Sequence, residues 1–179
     1  MMRRIFMVAC FLAFSITAAA QSARAPEYEV KAAFLYNFAK FIEWPSPSSA
    51  PSFRICVLGR DPFGLALSNL VQSKSISGRP IVSVQLQSPA EVRLCHVLFI
   101  SQSDPETLKQ VLERTRGLPV LTVGESADFL RLGGSINFVL EKDRVRFEIN
   151  LGAAESHHLK LSSKLLAVAR VVNVGGGAD

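Results

Sequence analysis

Two stretches of this chain share one grammar, and it limits the folds available. In "FRICVLGRDPFGLALSNLVQS", residues 53–73, a short apolar run precedes an Asp-Pro pair and a helix-forming segment. "HVLFISQSDPETLKQVLERTRGLPVLTVG", residues 96–124, repeats that order and adds a second apolar run. Asp61 and Asp104 suit helix N-caps, and Pro62 and Pro105 suit the first helical position. Gly117 and Pro119 end the second helix, which is expected to run through Arg116. Between the two units "RPIVSVQL" (79–86) alternates as a strand does. Strands alternating with helices of this length imply βαβ units, so the expected fold is α/β: a single domain with a parallel or mixed β-sheet flanked by helices.

The C-terminal part changes character. "SINFVLEKDRVRFEINL" (135–151) reads as a β-hairpin turning at Glu141 to Arg144, with Val145, Phe147 and Ile149 facing one way. A final helix is expected after it, capped by Ser162, with Leu161, Leu165, Val168 and Val172 on one stripe. "VGGGAD" reads as a frayed tail.

The first twenty residues read as a secretory signal peptide: basic "MMRR", an apolar run from Ile5 to Ile16, and small residues at Ala18 and Ala20 before Gln21. Residues 21–179 then form one domain, too short for two comfortable ones. Without Arg3 and Arg4 the chain holds 18 Lys and Arg against 15 Asp and Glu, a charge of +3. No basic run stands out, so nucleic acid is not expected as a partner. Export to an oxidising compartment agrees with the cysteines. Cys10 leaves with the leader, and Cys56 with Cys95 reads as one disulfide, against the plainer reading of two buried thiols.

"YEVKAAFLYNFAKFIEWP", residues 28–45, is rich in aromatics but interrupted by Glu29, Lys31, Lys40 and Glu43. Those charges and its marginal length weigh against a membrane span. On a helix over 28–44, Val30, Phe34, Phe38 and Phe41 share a stripe, widened by Leu35 and Ile42, which predicts a core-packing face. Glu29, Tyr36, Lys40 and Glu43 then fall on the opposite side, which places Tyr36 towards solvent. Those four are the candidate partner-binding residues, since an aromatic on a charged face suits an interface.

This block, "FRICVLGRDPFG", "CHVLFIS", "GGSINFVLEKDRVRFEINL" and "LKLSSKLLAVARVV" stand in an order that resembles the YfiR family of bacterial periplasmic proteins. The resemblance covers nearly all of residues 21–179. It implies a periplasmic repressor of an inner-membrane diguanylate cyclase, acting on the cyclase's periplasmic sensor region and lowering cyclic-di-GMP. An outer-membrane lipoprotein would relieve the repression. Cys56 and Cys95 match the family's disulfide in position, whereas a second bridge known in a relative has no cysteines here. A homodimer is left open.

No pattern of catalysis emerges, so an enzyme is not expected, nor a cofactor or a metal site. "GRDPFG" (59–64) lacks the Lys and Ser/Thr of a phosphate loop. "GES" (124–126) has Asp128 where a nucleophile elbow needs Gly. His157 and His158 are adjacent and therefore diverge on a helix, unlike an i, i+4 zinc pair, and His96 is the only other histidine. Ser162, Ser163 and Lys164 lack the S-x-x-K spacing. The alternative function is a periplasmic small-ligand-binding module feeding a membrane sensor kinase. Its pocket would lie at the ends of the parallel strands, lined by Arg60 and the loop from Ser101 to Ser103.

Overall fold

The computed structural model describes residues 25–45, 50–101 and 103–172. The expected leader over 1–20 and the C-terminal tail "VGGGAD" lie outside the described residues. The chain opens with helix α1 (25–41), then β1 (Ile42–Glu43) and β2 (Phe53–Leu58). Helix α2 (Leu65–Val71), β3 (Ser75–Ile76) and β4 (Arg79–Leu86) follow. A 3-10 turn (Pro89–Leu94) leads to β5 (Val97–Ile100), α3 (Pro105–Thr115) and β6 (Leu121–Gly124). The hairpin β7 (Ile136–Glu141) and β8 (Arg144–Asn150) is succeeded by α4 (Leu151–Ser156), β9 (Lys160–Leu161), α5 (Ser163–Leu166) and β10 (Arg170–Val172). Among the described residues no helix is long and apolar enough to cross a membrane.

Eight strands form one mixed sheet in the order β10-β8-β7-β6-β5-β2-β4-β3. Neighbours from β4 through β7 are parallel, and β7 with β8 is antiparallel, as the expected hairpin requires. Lys142 and Asp143 make its two-residue turn with positive φ at both positions, the backbone that matches strand twist. One face of the sheet carries an aromatic core in which Phe38 of α1 meets Phe138 and Phe147 of the hairpin. Leu67 and Val71 of α2 join that side. The other face is covered by the 3-10 turn and α3, through Val92, Leu108, Val111 and Leu112. There Phe129 lies between Gly124 and Gly134, where a Cβ would sit 2.2 and 2.1 Å from its ring.

The disulfide forms between Cys56 of β2 and Cys95 after the 3-10 turn, with Cα atoms 5.8 Å apart. It closes a loop across a sequence separation of 39 residues. Asp104 caps α3 as expected, its carboxylate accepting from the Thr107 N–H at 2.9 Å. Asp61 does not cap α2. It accepts from the Phe63 N–H at 2.8 Å in a local turn, and the helix begins later, after Gly64.

Expectations about the first and the final helix change. The first helix stops at 41, and Ile42–Glu43 pairs instead with β9 in a small second sheet. Its buried stripe is rotated from the one expected: Lys31, Ala32, Leu35, Phe38 and Ala39 are buried, while Val30 is 45% exposed. The final helix does start at the Ser162 cap, but it lasts one turn. Val168 is exposed, and Val172 belongs to β10, which pairs with β8 in parallel. Arg170 ties that edge down by ion pairs to Glu148 and Glu141. β-branched residues at a free sheet edge gain more from ladder pairing than from another helical turn.

Candidate functional site

Helix α1 brings its N-terminal turns to the carboxyl ends of the parallel strands. At this end β7 enters the sheet beside the last two residues of β6, with Ile136 opposite Val123 and Asn137 opposite Gly124, then runs on to Glu141. A cavity of about 480 Å³ results, walled by Phe138, Val139 and Leu140 on the strand side and by Glu27, Tyr28 and Lys31 on the helix side. Glu125, the residue after β6, completes it.

Its chemistry centres on Lys31, which is 4% exposed. The ammonium lies 2.6 Å from Glu125 Oε2 and also pairs with Glu27, one helical turn earlier. The Tyr28 hydroxyl donates to Glu125 Oε1 at 2.9 Å, and the Lys31 Nζ stands 4.4 Å from the Tyr28 ring centroid. A buried ammonium loses its hydration, and two carboxylates with an aromatic face supply what water no longer can. Asn137 lies in the same wall at 4% exposure, and its Oδ1 has no hydrogen-bond partner among the described residues. The cavity therefore offers a buried acceptor, one ammonium and two carboxylates against a partly apolar wall. Such a mixture can hold a small polar molecule that carries a hydrogen-bond donor. Among the described residues no group of three or more His, Cys, Asp or Glu is placed to hold a metal.

The residues singled out from the sequence are distributed unevenly around this geometry. Ser101 stands in the cavity wall. Ser103 supports it indirectly, its hydroxyl donating to the Ser101 carbonyl at 3.0 Å. Arg60 is exposed and lies outside that lining. On α1, Glu29 and Lys40 are exposed as expected. Tyr36 is not a solvent-side residue: it is half-buried against the aromatic core, with Lys74 Nζ 5.3 Å from its ring. Glu43 is exposed, but it sits on β1 and pairs with Lys160 at 3.6 Å. The four do not make one helix face.

Lys31, Glu125, Tyr28 and Asn137 were missed by sequence reading. One local sign existed, the Glu27–Lys31 spacing of four, which places both side chains on one face. Nothing local pointed to Glu125 or Asn137.

Beside the cavity, Pro26, Val30, Phe34, Leu140 and Val145 wall an apolar groove of about 680 Å³ between α1 and the hairpin. Val30 and Leu140 are 45% and 57% exposed, and Arg144 and Arg146 stand at the groove's side.

A model of the YfiR/HmsC-like family matches residues 28–170. Among solved structures, the ABC domain in complex with L-Trp from Streptococcus pneumonia is similar with a TM-score of 0.48 and 9% sequence identity. That likeness covers 67% of this chain and 55% of the other, so the chain spans little more than half of that protein. From the match over residues 28–170, this chain belongs to the YfiR/HmsC-like family.

Proposed function

We propose that this protein is a periplasmic repressor that binds the periplasmic sensor region of an inner-membrane diguanylate cyclase and holds the enzyme inactive. The observation that carries the reading is the family match across residues 28–170. The work required is differential binding: a tenfold preference for the inactive sensor corresponds to about 1.4 kcal/mol. The groove between α1 and the hairpin supports a contact surface there. It exposes Val30 and Leu140 beside Arg144 and Arg146, next to the exposed Glu29. Apolar contact area flanked by arginine is the composition of interface cores. Lys40 near the end of α1 and Glu43 on β1, both exposed, are assigned to the partner surface as well, while Tyr36 packs on the core. An outer-membrane lipoprotein competing for the repressor would relieve the inhibition.

The test is cyclic-di-GMP in the native host with and without this gene, restored by an exported copy or by one lacking residues 1–20. A rise on deletion that only the exported copy reverses supports the repressor. No change on deletion overturns it.

The cavity around Lys31 favours a second reading, a small-ligand module feeding a membrane sensor kinase. The unpartnered Asn137 Oδ1 calls for a donor, and the site lies where open parallel sheets bind ligands. Thermal shift of the purified protein against periplasmic amino acids checks it. A saturable shift that disappears in Asn137→Leu supports a ligand, and a flat panel rules against the module.

A further inference from the structure

The opposite end of α1 reaches the amino ends of the same strands and borders a second cavity of about 550 Å³. Arg54 at the start of β2, Arg79 at the start of β4 and Arg93 in the 3-10 turn all line it, with His96, Trp44 and Leu94. Among the described residues none of these three arginines has a carboxylate within ion-pair distance. Three guanidinium groups thus share one concavity without counter-charge, and Arg cannot shed its proton to relieve this.

The hydrogen bonding around His96 sharpens the point. The Arg54 backbone N–H donates to His96 Nδ1 at 3.1 Å. A backbone N–H can only donate, so Nδ1 is the accepting nitrogen and Nε2 carries the ring proton. Arg79 Nη1 lies 3.1 Å from that Nε2. Two donors therefore face each other with no acceptor between them. Arg79 Nε is also buried with no hydrogen-bond partner among the described residues. The arrangement is held in place rather than loose. Arg79 lies over the Phe53 ring at 5.6 Å, Phe53 stacks on His96 at 4.4 Å, and Trp44 packs edge-on to Phe53. The ring stays neutral at physiological pH, because burial and then the charges of Arg79 and Arg54 lower its pKa to about 4.

We propose that this cavity is a binding site for a small oxyanion, a carboxylate or phosphate-type group, held by Arg79 and the His96 Nε2–H and flanked by Arg54 and Arg93. One oxygen atom accepts from both facing donors at once, and the planar guanidinium fork of Arg79 matches a second oxygen. Burial of His96 and of the Arg79 Nε strengthens charge-assisted bonds there relative to water. The site stands apart from the groove between α1 and the hairpin and shares no lining residue with it.

The experiment is an NMR titration of the exported protein at pH 7 with sodium phosphate, sodium sulfate and sodium acetate, each against sodium chloride at equal ionic strength. Saturable shifts are expected at the Arg54 amide, the Arg79 Nε–H and the His96 ring for at least one oxyanion. Whichever saturates at the lowest concentration assigns the head group. Arg93→Gln, an exposed position with no role in the core, should weaken the affinity about tenfold, the loss of one charge-assisted contact. Arg79→Gln should abolish saturation, and if that variant fails to fold, Arg93→Gln decides alone. Linear shifts indistinguishable from those with chloride, saturation confined to other surfaces, or an unaltered affinity in Arg93→Gln would overturn the proposal.

Discussion

Lys31 on the first helix and Glu125, the residue after β6, meet at 2.6 Å although 94 positions separate them. Their side chains are 5% and 10% exposed, so the pair fastens the amino end of α1 to the carboxyl end of the sheet away from water. The same contact shapes the cavity and rotates the helix. Lys31 turns inward where an aliphatic residue is the usual choice, and Val30 is left outside.

Removing one member of this pair strands the other. Lys31→Met should destabilise the protein by about 3–5 kcal/mol, because Glu125 then stays buried without its ammonium. The double variant Lys31→Met, Glu125→Leu should recover a large part of that loss. Denaturant melts of both variants check this, and a Lys31→Met melt equal to the parent's rules out a buried pair.

The disulfide constrains the unfolded chain across a 39-residue separation. Joint replacement of Cys56 and Cys95 by Ser should cost up to about 4 kcal/mol and lower the Tm by up to roughly 10 °C. Calorimetry of the oxidised protein beside the double variant measures it. Equal transitions would mean that the bridge contributes nothing to folding.

Folding lowers the pKa of His96 from 6.5 to about 4, first through burial and then through Arg79 and Arg54. As pH falls the unfolded chain takes up this proton before the folded one does. Stability from the site is therefore complete above pH 6.5 and lost progressively towards pH 4, by about 3 kcal/mol in all. Burial lowers His157 in the same direction. Denaturant melts at pH 7.5, 6 and 5 should show the decline, and His96→Gln should flatten it. A slope unchanged in that variant would assign the effect to other groups.

Tyr36 and Lys40 separate folding from partner contact. Tyr36→Ala should lose about 1–3 kcal/mol of stability, since the ring packs on the core beneath Lys74. Lys40→Glu should leave the melt within about 0.5 kcal/mol, as expected of an exposed position, while weakening association with the cyclase's sensor region. Circular dichroism and a pull-down with that region read the two effects. Parent-like association by Lys40→Glu would remove Lys40 from the contact surface.

Much of the fold was legible because its signals are local. The Asp104–Pro105 start of α3, the alternation of Val145, Phe147 and Ile149, and the spacing of short apolar runs each act within a few residues. They determine helix starts, strand faces and the parallel character of the sheet before any distant contact forms. What only the tertiary structure decided are choices where two distant segments compete or combine. The buried face of α1 depends on Glu125 being there to receive Lys31, and hydropathy alone would have turned Val30 inward. Arg170–Val172 became a strand because β8 offered an unpaired edge. The facing donors of Arg79 and His96 exist because β4 and β5 both flank β2. Hydrophobic periodicity records how each segment meets an average core, whereas buried charges and edge pairings depend on one particular partner, and that partner is chosen only when the chain closes on itself.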